Sequence, residues 1–203
     1  CVGQDLREHA ENIASQPMEA VWSTVPEHYA PIAAALATMP KPVVAAVNGV
    51  AAGAGASMAF ACDVRLVADT AGFNTAFAGI GLSCDTGASW TLSRLVGYAR
   101  AVELLMLPRT VKADEAYEIG LANRIVPTAE LADTAAELAR TLAAGPTLAY
   151  AAIKQAVAYA ATHDLPSALQ MEAEKMALTG ASQDHRDAVA AFVAKQPPEF
   201  RGR

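Results

Sequence analysis

Apolar positions change their period several times along the chain, and each change marks an element. Pro42-Val43-Val44-Ala45-Ala46-Val47 is a continuous small and β-branched run, bounded by proline and by Asn48-Gly49, and it predicts a buried strand. Asp63-Val64-Arg65-Leu66-Val67-Ala68 alternates enough to predict a second strand, and residues 72–76 a third short extended piece. Between the first two, Gly53-Ala54-Gly55-Ala56-Ser57 opens a helix that reaches about Ala61. Upstream, residues 1–6 form an apolar stub with a glycine that reads as the end of a strand, overlapping the charged stretch Asp5-Leu6-Arg7-Glu8-His9. Residues 17–38 carry apolar side chains at helical spacing that stops near Pro40. After the turn-rich Gly79-Ile80-Gly81-Leu82, helices are predicted over about 87–96, 98–107 and 112–119, followed by a short strand at Arg124–Val126 that Pro127 stops. From Thr128, read as an N-cap, the pattern is almost wholly helical. Gly145-Pro146 breaks it, and Ser182 with Asp184 starts a last helix that runs to about Lys195 before Pro197-Pro198. The fold class is therefore α/β, with a β/α core over residues 1–127 and a helical C-terminal region over 128–203.

Composition narrows the function. The chain has 203 residues, 53% apolar and 18% charged, enough for one α/β domain with its own core and unlike a disordered segment. A net charge of -6 without a basic run excludes a nucleic-acid partner, while a local basic phosphate site remains compatible with it. Cys1, Cys62 and Cys84 fit neither a zinc pattern nor a disulfide framework, so a reducing, cytoplasmic setting is the simplest reading. His9, His163 and His185 form no metal-ligand pattern, and no metal site is expected. No apolar run approaches the ~20 residues of a membrane span. The chain begins with Cys rather than Met, and its first residues read as mid-fold, so N-terminal strands are expected to precede Cys1.

The candidate chemistry lies at the strand-turn-helix of Val47 to Gly55. The first N–H groups of a helix lack intrahelical partners and sit at the positive end of its dipole. Glycine and alanine there let a ligand oxygen reach the backbone. Two readings stand on these residues alone: an oxygen-binding turn, or close packing of a helix on a strand. No Gly-Lys-Ser/Thr follows, and the three-glycine dinucleotide spacing is absent.

The wider order of motifs separates the two. Cys1-Val2-Gly3-Gln4-Asp5-Leu6, then Pro42 through Gly55, then Cys62-Asp63-Val64-Arg65 resemble the enoyl-CoA hydratase/isomerase (crotonase) superfamily in order and spacing. So do Gly81-Leu82-Ser83-Cys84-Asp85-Thr86-Gly87 and Phe192-Val193-Ala194-Lys195, and the resemblance covers essentially the whole chain. It implies a spiral core of ββα turns, a helical C-terminal region used for assembly into a homotrimer or hexamer, and an acyl-CoA thioester as substrate. Coenzyme A then arrives with the substrate, and no separate cofactor is implied. The thioester oxygen would be held by the backbone N–H groups of Gln4 and Ala54. Such preorganised donors stabilise charge as it develops, and losing one elsewhere costs ~3–4 kcal/mol. Ala54 stands where the family usually has glycine, and a methyl group leaves the N–H free.

The resemblance also bears on the reaction. The hydratase branch uses two glutamates, and Ser57 and Phe77 occupy those positions here. Phenylalanine cannot move a proton, and serine is a poor base without a partner. Asp85 offers another route. Its surroundings resemble the branch that includes 1,2-epoxyphenylacetyl-CoA isomerase and 3,2-enoyl-CoA isomerases, whose matching aspartate shuttles a proton. On its own residues Asp85 also reads as a helix N-cap ahead of Gly87. The expected activity is an enoyl-CoA isomerase. The alternatives are a weak hydratase of fatty-acid β-oxidation and a non-catalytic acyl-CoA-binding relative. Dehalogenase chemistry in the superfamily pairs its aspartate with a tryptophan and a histidine, where Phe77 and Ala30 stand here. The resemblance further places Gln4, Asp5, Leu6, Arg7, Ala54 and Phe77 around the substrate, and Lys195 at a CoA phosphate, often a neighbouring subunit's. Arg7 and Lys195 read equally as solvated surface charges. Asp63 and Arg65 read as structural ion pairs, and His28 as a surface histidine.

Overall fold

The small and β-branched run after Pro42 forms β1 (Val44–Val47), and the chain turns at Asn48-Gly49 directly into β2 (Val50–Ala52). A computed structural model describes all residues, 1–203. The helix that follows, α4 (Ala54–Ala61), is buried over nearly its whole circumference, which only its small side chains permit. Before it come α1 (Leu6–Ser15), α2 (Met18–Thr24), a π-helical turn at Val25–Tyr29 and α3 (Ala30–Thr38). After it come β3 (Val64–Ala68), β4 (Gly72–Asn74), α5 (Ala88–Val96), α6 (Tyr98–Met106), β5 (Val111–Lys112), α7 (Ala113–Glu118) and β6 (Arg124–Val126).

Contacts divide the chain into two compact units, Cys1–Ala37 with Val43–Ala135 and Thr38–Pro42 with Ala136–Arg203. In the first, β1, β3 and β6 form one parallel sheet, in the order β1-β3-β6. The second sheet has the order β2-β4-β5, with β2 parallel to β4 and β5 antiparallel to it. Successive ββα turns thus add one strand to each sheet, the spiral core that the motifs predict. Val44 pairs with Val64 and Val50 with Gly72. Gly72 is obligatory, since a Cβ there would lie 2.5 Å from the Val111 carbonyl oxygen. Leu66, Val67, Phe73, Leu92 and Leu121 are sealed from solvent, and Phe60 tilts against Phe73 with ring centroids 5.2 Å apart. Each such side chain contributes ~1.5–3 kcal/mol of burial.

The Arg65 guanidinium is buried, which pushes its pKa down, and its Nε and Nη1 donate to the Leu121 and Cys62 carbonyls at 2.7 and 2.6 Å. Asp63 accepts the Val43 N–H at 2.8 Å.

The second unit is helical. α8 (Leu131–Ala143) spans the boundary, and α9 (Thr147–Ala160), α10 (Leu165–Gly180) and α11 (Gln183–Val193) follow. Asp164 caps α10 through the Ser167 N–H, and Ser182 caps α11 through the His185 N–H. Buried Asp184 accepts the Arg201 and Gly202 N–H groups, both at 2.8 Å, and so pins the C-terminal tail. No helix is long and apolar enough to cross a membrane.

Several expectations are corrected. Residues 1–6 form no strand. One backbone bond, Ala52 N–H to the Cys1 carbonyl at 3.0 Å, holds the stub, and the charged stretch is the start of α1. The 17–38 helix is two helices joined by the π turn, the 112–119 helix begins with β5, and the last helix stops at Val193. Thr128 caps nothing: its hydroxyl and N–H both donate to the Asp69 carboxylate.

Candidate active site

Two glycines bring the N-terminal stub against the start of α4. Gly3 has φ +83, and a Cβ on it would sit 3.3 Å from the Ala54 nitrogen. At Gly55 a Cβ would fall 2.1 Å from the Cys1 carbonyl oxygen. Gly53, at φ 53 and ψ −125, is the N-cap at which the chain turns from β2 into α4. Neither the Gln4 nor the Ala54 N–H has an acceptor within the protein. Two backbone donors without an acceptor in the protein, one at a helix N-terminus, therefore lie in neighbouring parts of the chain.

A cavity of about 130 Å³ opens beside them, with Gln4 and Ala54 in its wall. α1 contributes Leu6 and His9, at i and i+3 on one face. Trp22, Val25 and Tyr29 come from α2 and the π turn. In that turn the Ala30 N–H reaches the Val25 carbonyl, five residues back, between Pro26 and Pro31, neither of which has an N–H to give. Phe77, Ile80, Leu82 and Asp85 close the far side.

Asp85 is the one acidic side chain in this wall. It does not cap α5, whose N-cap is Gly87 with no side-chain bond. Instead its carboxylate accepts the Thr86 hydroxyl at 2.7 Å. Thr86 has φ 53 and Gly87 φ 79, a left-handed pair that turns the chain sharply after Asp85. A β-branched residue in that region costs ~1–3 kcal/mol, strain of the kind that gathers at functional sites. Burial, the nearby Asp85 charge and Glu8 push the Tyr29 phenol above its ordinary range, so it is held as a neutral hydroxyl. His9 is buried, packs edge-on against Trp22 at 5.3 Å, and leaves its Nδ1 without a hydrogen-bond partner.

The structure thus brings together Gln4, Leu6, Ala54, Phe77 and Asp85. Asp5 lies just outside the wall as the N-cap of α1, accepting the Arg7 and Glu8 N–H groups, and Arg7 is exposed on the same helix. Lys195 belongs to the second unit, exposed just past α11 with φ 54. Ser57 is sealed from solvent, and its hydroxyl donates back to the Gly53 carbonyl at 3.2 Å. Sequence reasoning missed His9, Trp22 and Tyr29. The signal was present in the Leu6-His9-Ile13 and Trp22-Val25-Tyr29 spacings, each a helical stripe interrupted by one polar ring.

The sequence profile of the Enoyl-CoA hydratase/isomerase family matches residues 1–203. The chain is 42% identical over its full length to the 1,2-epoxyphenylacetyl-CoA isomerase of Escherichia coli K12, covering 77% of that protein. It is 37% identical over 169 residues to the short-chain-enoyl-CoA hydratase of Clostridium acetobutylicum, covering 83% of this chain and 65% of the relative. A Mycobacterium abscessus crystal structure assigned to enoyl-CoA hydratase/isomerase superposes with a TM-score of 0.95 at 42% identity, over 100% of this chain and 78% of the other.

Proposed function

The chain belongs to the enoyl-CoA hydratase/isomerase family, which acts on acyl-CoA thioesters, and from that premise we propose that it is an enoyl-CoA isomerase. One observation carries the choice of reaction: the cavity beside the two free N–H groups holds a single carboxylate, Asp85, and no second acid or base of the hydratase kind. Ser57 is sealed and turned back on Gly53, and Phe77 is part of the apolar wall.

The thioester oxygen accepts from Gln4 N–H and Ala54 N–H. Asp85 takes a proton from the carbon next to the thioester carbonyl of a 3-enoyl chain. The electron pair of the broken C–H bond forms a double bond to the thioester carbon and displaces the carbonyl pair onto the oxygen, giving a dienolate, conjugated with the original double bond, whose charge the two donors hold. Asp85 then returns the same proton two carbons further along, leaving a 2-enoyl thioester. No water enters the balance and no cofactor is consumed. The apolar wall excludes solvent from the dienolate and strengthens both hydrogen bonds. Lys195 matches a family lysine that meets a CoA phosphate, often a neighbouring subunit's, and exposed Arg7 is a separate candidate for a CoA phosphate contact.

The test follows double-bond position and water addition on 3-enoyl-CoA and 2-enoyl-CoA. The native protein is expected to isomerise the 3-enoyl substrate, and Asp85→Asn to lose about 10²–10⁴-fold in kcat while still binding the thioester. Unchanged turnover in that variant would overturn the mechanism. Rapid hydration of the 2-enoyl thioester would make the protein a hydratase, and tight binding without turnover a non-catalytic relative.

A further inference from the structure

Tyr29 carries the only hydroxyl in the cavity wall, and the isomerisation as written leaves it unused. It ends the π-helical turn Val25–Tyr29, and single wide turns of this kind recur at functional sites. No group of the protein pairs with its hydroxyl. In the same wall, Asp85 has only one carboxylate oxygen occupied: Oδ1 accepts from Thr86, and Oδ2 has no protein donor. The Asp85 charge reaches the phenol oxygen, where it adds to burial in raising the pKa, with Glu8 of α1 contributing less. The other titratable groups around the pair are His9 of α1, in the same wall, Cys84, next to Asp85 in the chain, and His28, which is tied to Thr24. A phenol that stays protonated is a donor, and an ionised carboxylate can only accept. A carboxylate fixed at one oxygen still turns about its terminal bond, because that torsion has broad wells. A second donor stops the turning, and each oxygen keeps a further lone pair for a substrate proton.

We propose that Tyr29 is a positioning residue of the isomerisation, donating its hydroxyl to Asp85 Oδ2 once a thioester displaces solvent from the cavity. Thr86 and Tyr29 then hold the carboxylate from two sides, with a lone pair turned to the acyl chain. The proposal deepens the isomerase reading and rests on it. No bond to carbon forms or breaks at Tyr29, and its proton stays on the phenol throughout. Hydrogen bonds to an ionised group are about twice as strong as neutral ones, and the mostly apolar wall screens this one little. A reacting group displaced by ~1 Å can cost about 10²-fold in rate, so the anchor acts on kcat.

Tyr29→Phe keeps the ring and its packing and removes only the hydroxyl. On 3-enoyl-CoA it should lower kcat by roughly 10- to 100-fold, with KM and Tm close to native. The same substitution made in Asp85→Asn should cost almost nothing further, because the ionised group it positions is gone. A tyrosine that merely packs would give the same loss in both backgrounds, or would move KM and Tm instead of kcat. Either result overturns the proposal, as does an unchanged kcat in Tyr29→Phe. A native protein that turns over no 3-enoyl-CoA fails the isomerase reading itself. The pairing of Tyr29 with Asp85 is then decided without turnover, by carbon-13 NMR of protein labelled at the oxygen-bearing tyrosine ring carbon, with Tyr29→Phe identifying the signal. At about pH 10 a larger share of Tyr29 should be ionised in Asp85→Asn than in the native protein, because a nearby negative charge opposes the phenolate. Equal shares in the two proteins overturn the pairing.

Discussion

A methyl group at residue 55 would decide whether Gln4 and Ala54 can act together. Gly55 is the floor over which the Cys1 carbonyl passes, and the ideal Cβ position lies 2.1 Å from that oxygen. Backbone has to move to relieve such a contact. The part free to move is the stub, which a single bond to Ala52 holds to the sheet. Gly55→Ala is therefore expected to shift Gln4 away from Ala54 while the core, built on Leu66, Phe73 and Leu92, stays folded. Losing one of two oxyanion donors costs about 10²–10³-fold in kcat. The variant should show that loss on 3-enoyl-CoA with a KM changed far less, in steady-state kinetics beside a circular dichroism melt. A variant with native kcat would mean that the stub does not contribute its N–H.

Among elements, the tie between the β3–β4 turn and the short helix after β6 gives a pH signature. The Thr128 hydroxyl donates to Asp69 at 2.6 Å and the Thr128 N–H at 3.1 Å, and chiefly the hydroxyl holds the Asp69 carboxyl below its ordinary value. The folded state then favours the charged carboxylate, and the unfolded chain binds the proton more readily. The stabilisation is complete above the unfolded value, about pH 4, and is lost as pH falls through the lower folded one. Melts from pH 6 to pH 3 should therefore show a steeper acid decline for the native protein than for Asp69→Asn, and parallel declines would remove the tie. Element order was largely legible in the sequence because β1, α4, β3 and β6 each carry a strong local pattern. β2 and β5 were not, since β2 follows β1 after only the Asn48-Gly49 turn and β5 is two residues that run straight into α7, and their pairing with β4 comes from the spiral. α1 was read as a charged stretch although Asp5 and Glu8 have the spacing of a capping box. For the site, Gln4, Ala54, Phe77 and Asp85 were found through chain-local motifs. His9, Trp22 and Tyr29 sit at helical spacing that the sequence shows, but that they line the cavity is set by the packing of α1, α2 and the π turn, which no local window holds.

On the scale of the whole molecule, the second unit exposes several large apolar side chains. Phe192 is 83% exposed and Val193 78%, both in the last turn of α11, and Met176 and Leu178 of α10 are exposed as well. Large contiguous exposed apolar patches mark association surfaces, and exposed side chains of this size are candidates for one. Self-association into the homotrimer or hexamer implied by the motif resemblance would cover them. Sedimentation should then give three or six chain masses for the native protein. Phe192→Asp places a charge where burial on assembly would be required, and an unpaired buried charge costs several kcal/mol. That variant is expected to sediment at lower mass with the circular dichroism of the native fold. Asp85, Ala54 and Gln4 all lie in the first unit, so the dispersed variant should keep those three groups in place, while any contact of Lys195 with a neighbouring subunit's CoA phosphate would be lost. A native protein that sediments as one chain, or a Phe192→Asp protein that assembles unchanged, would assign these side chains to some other contact.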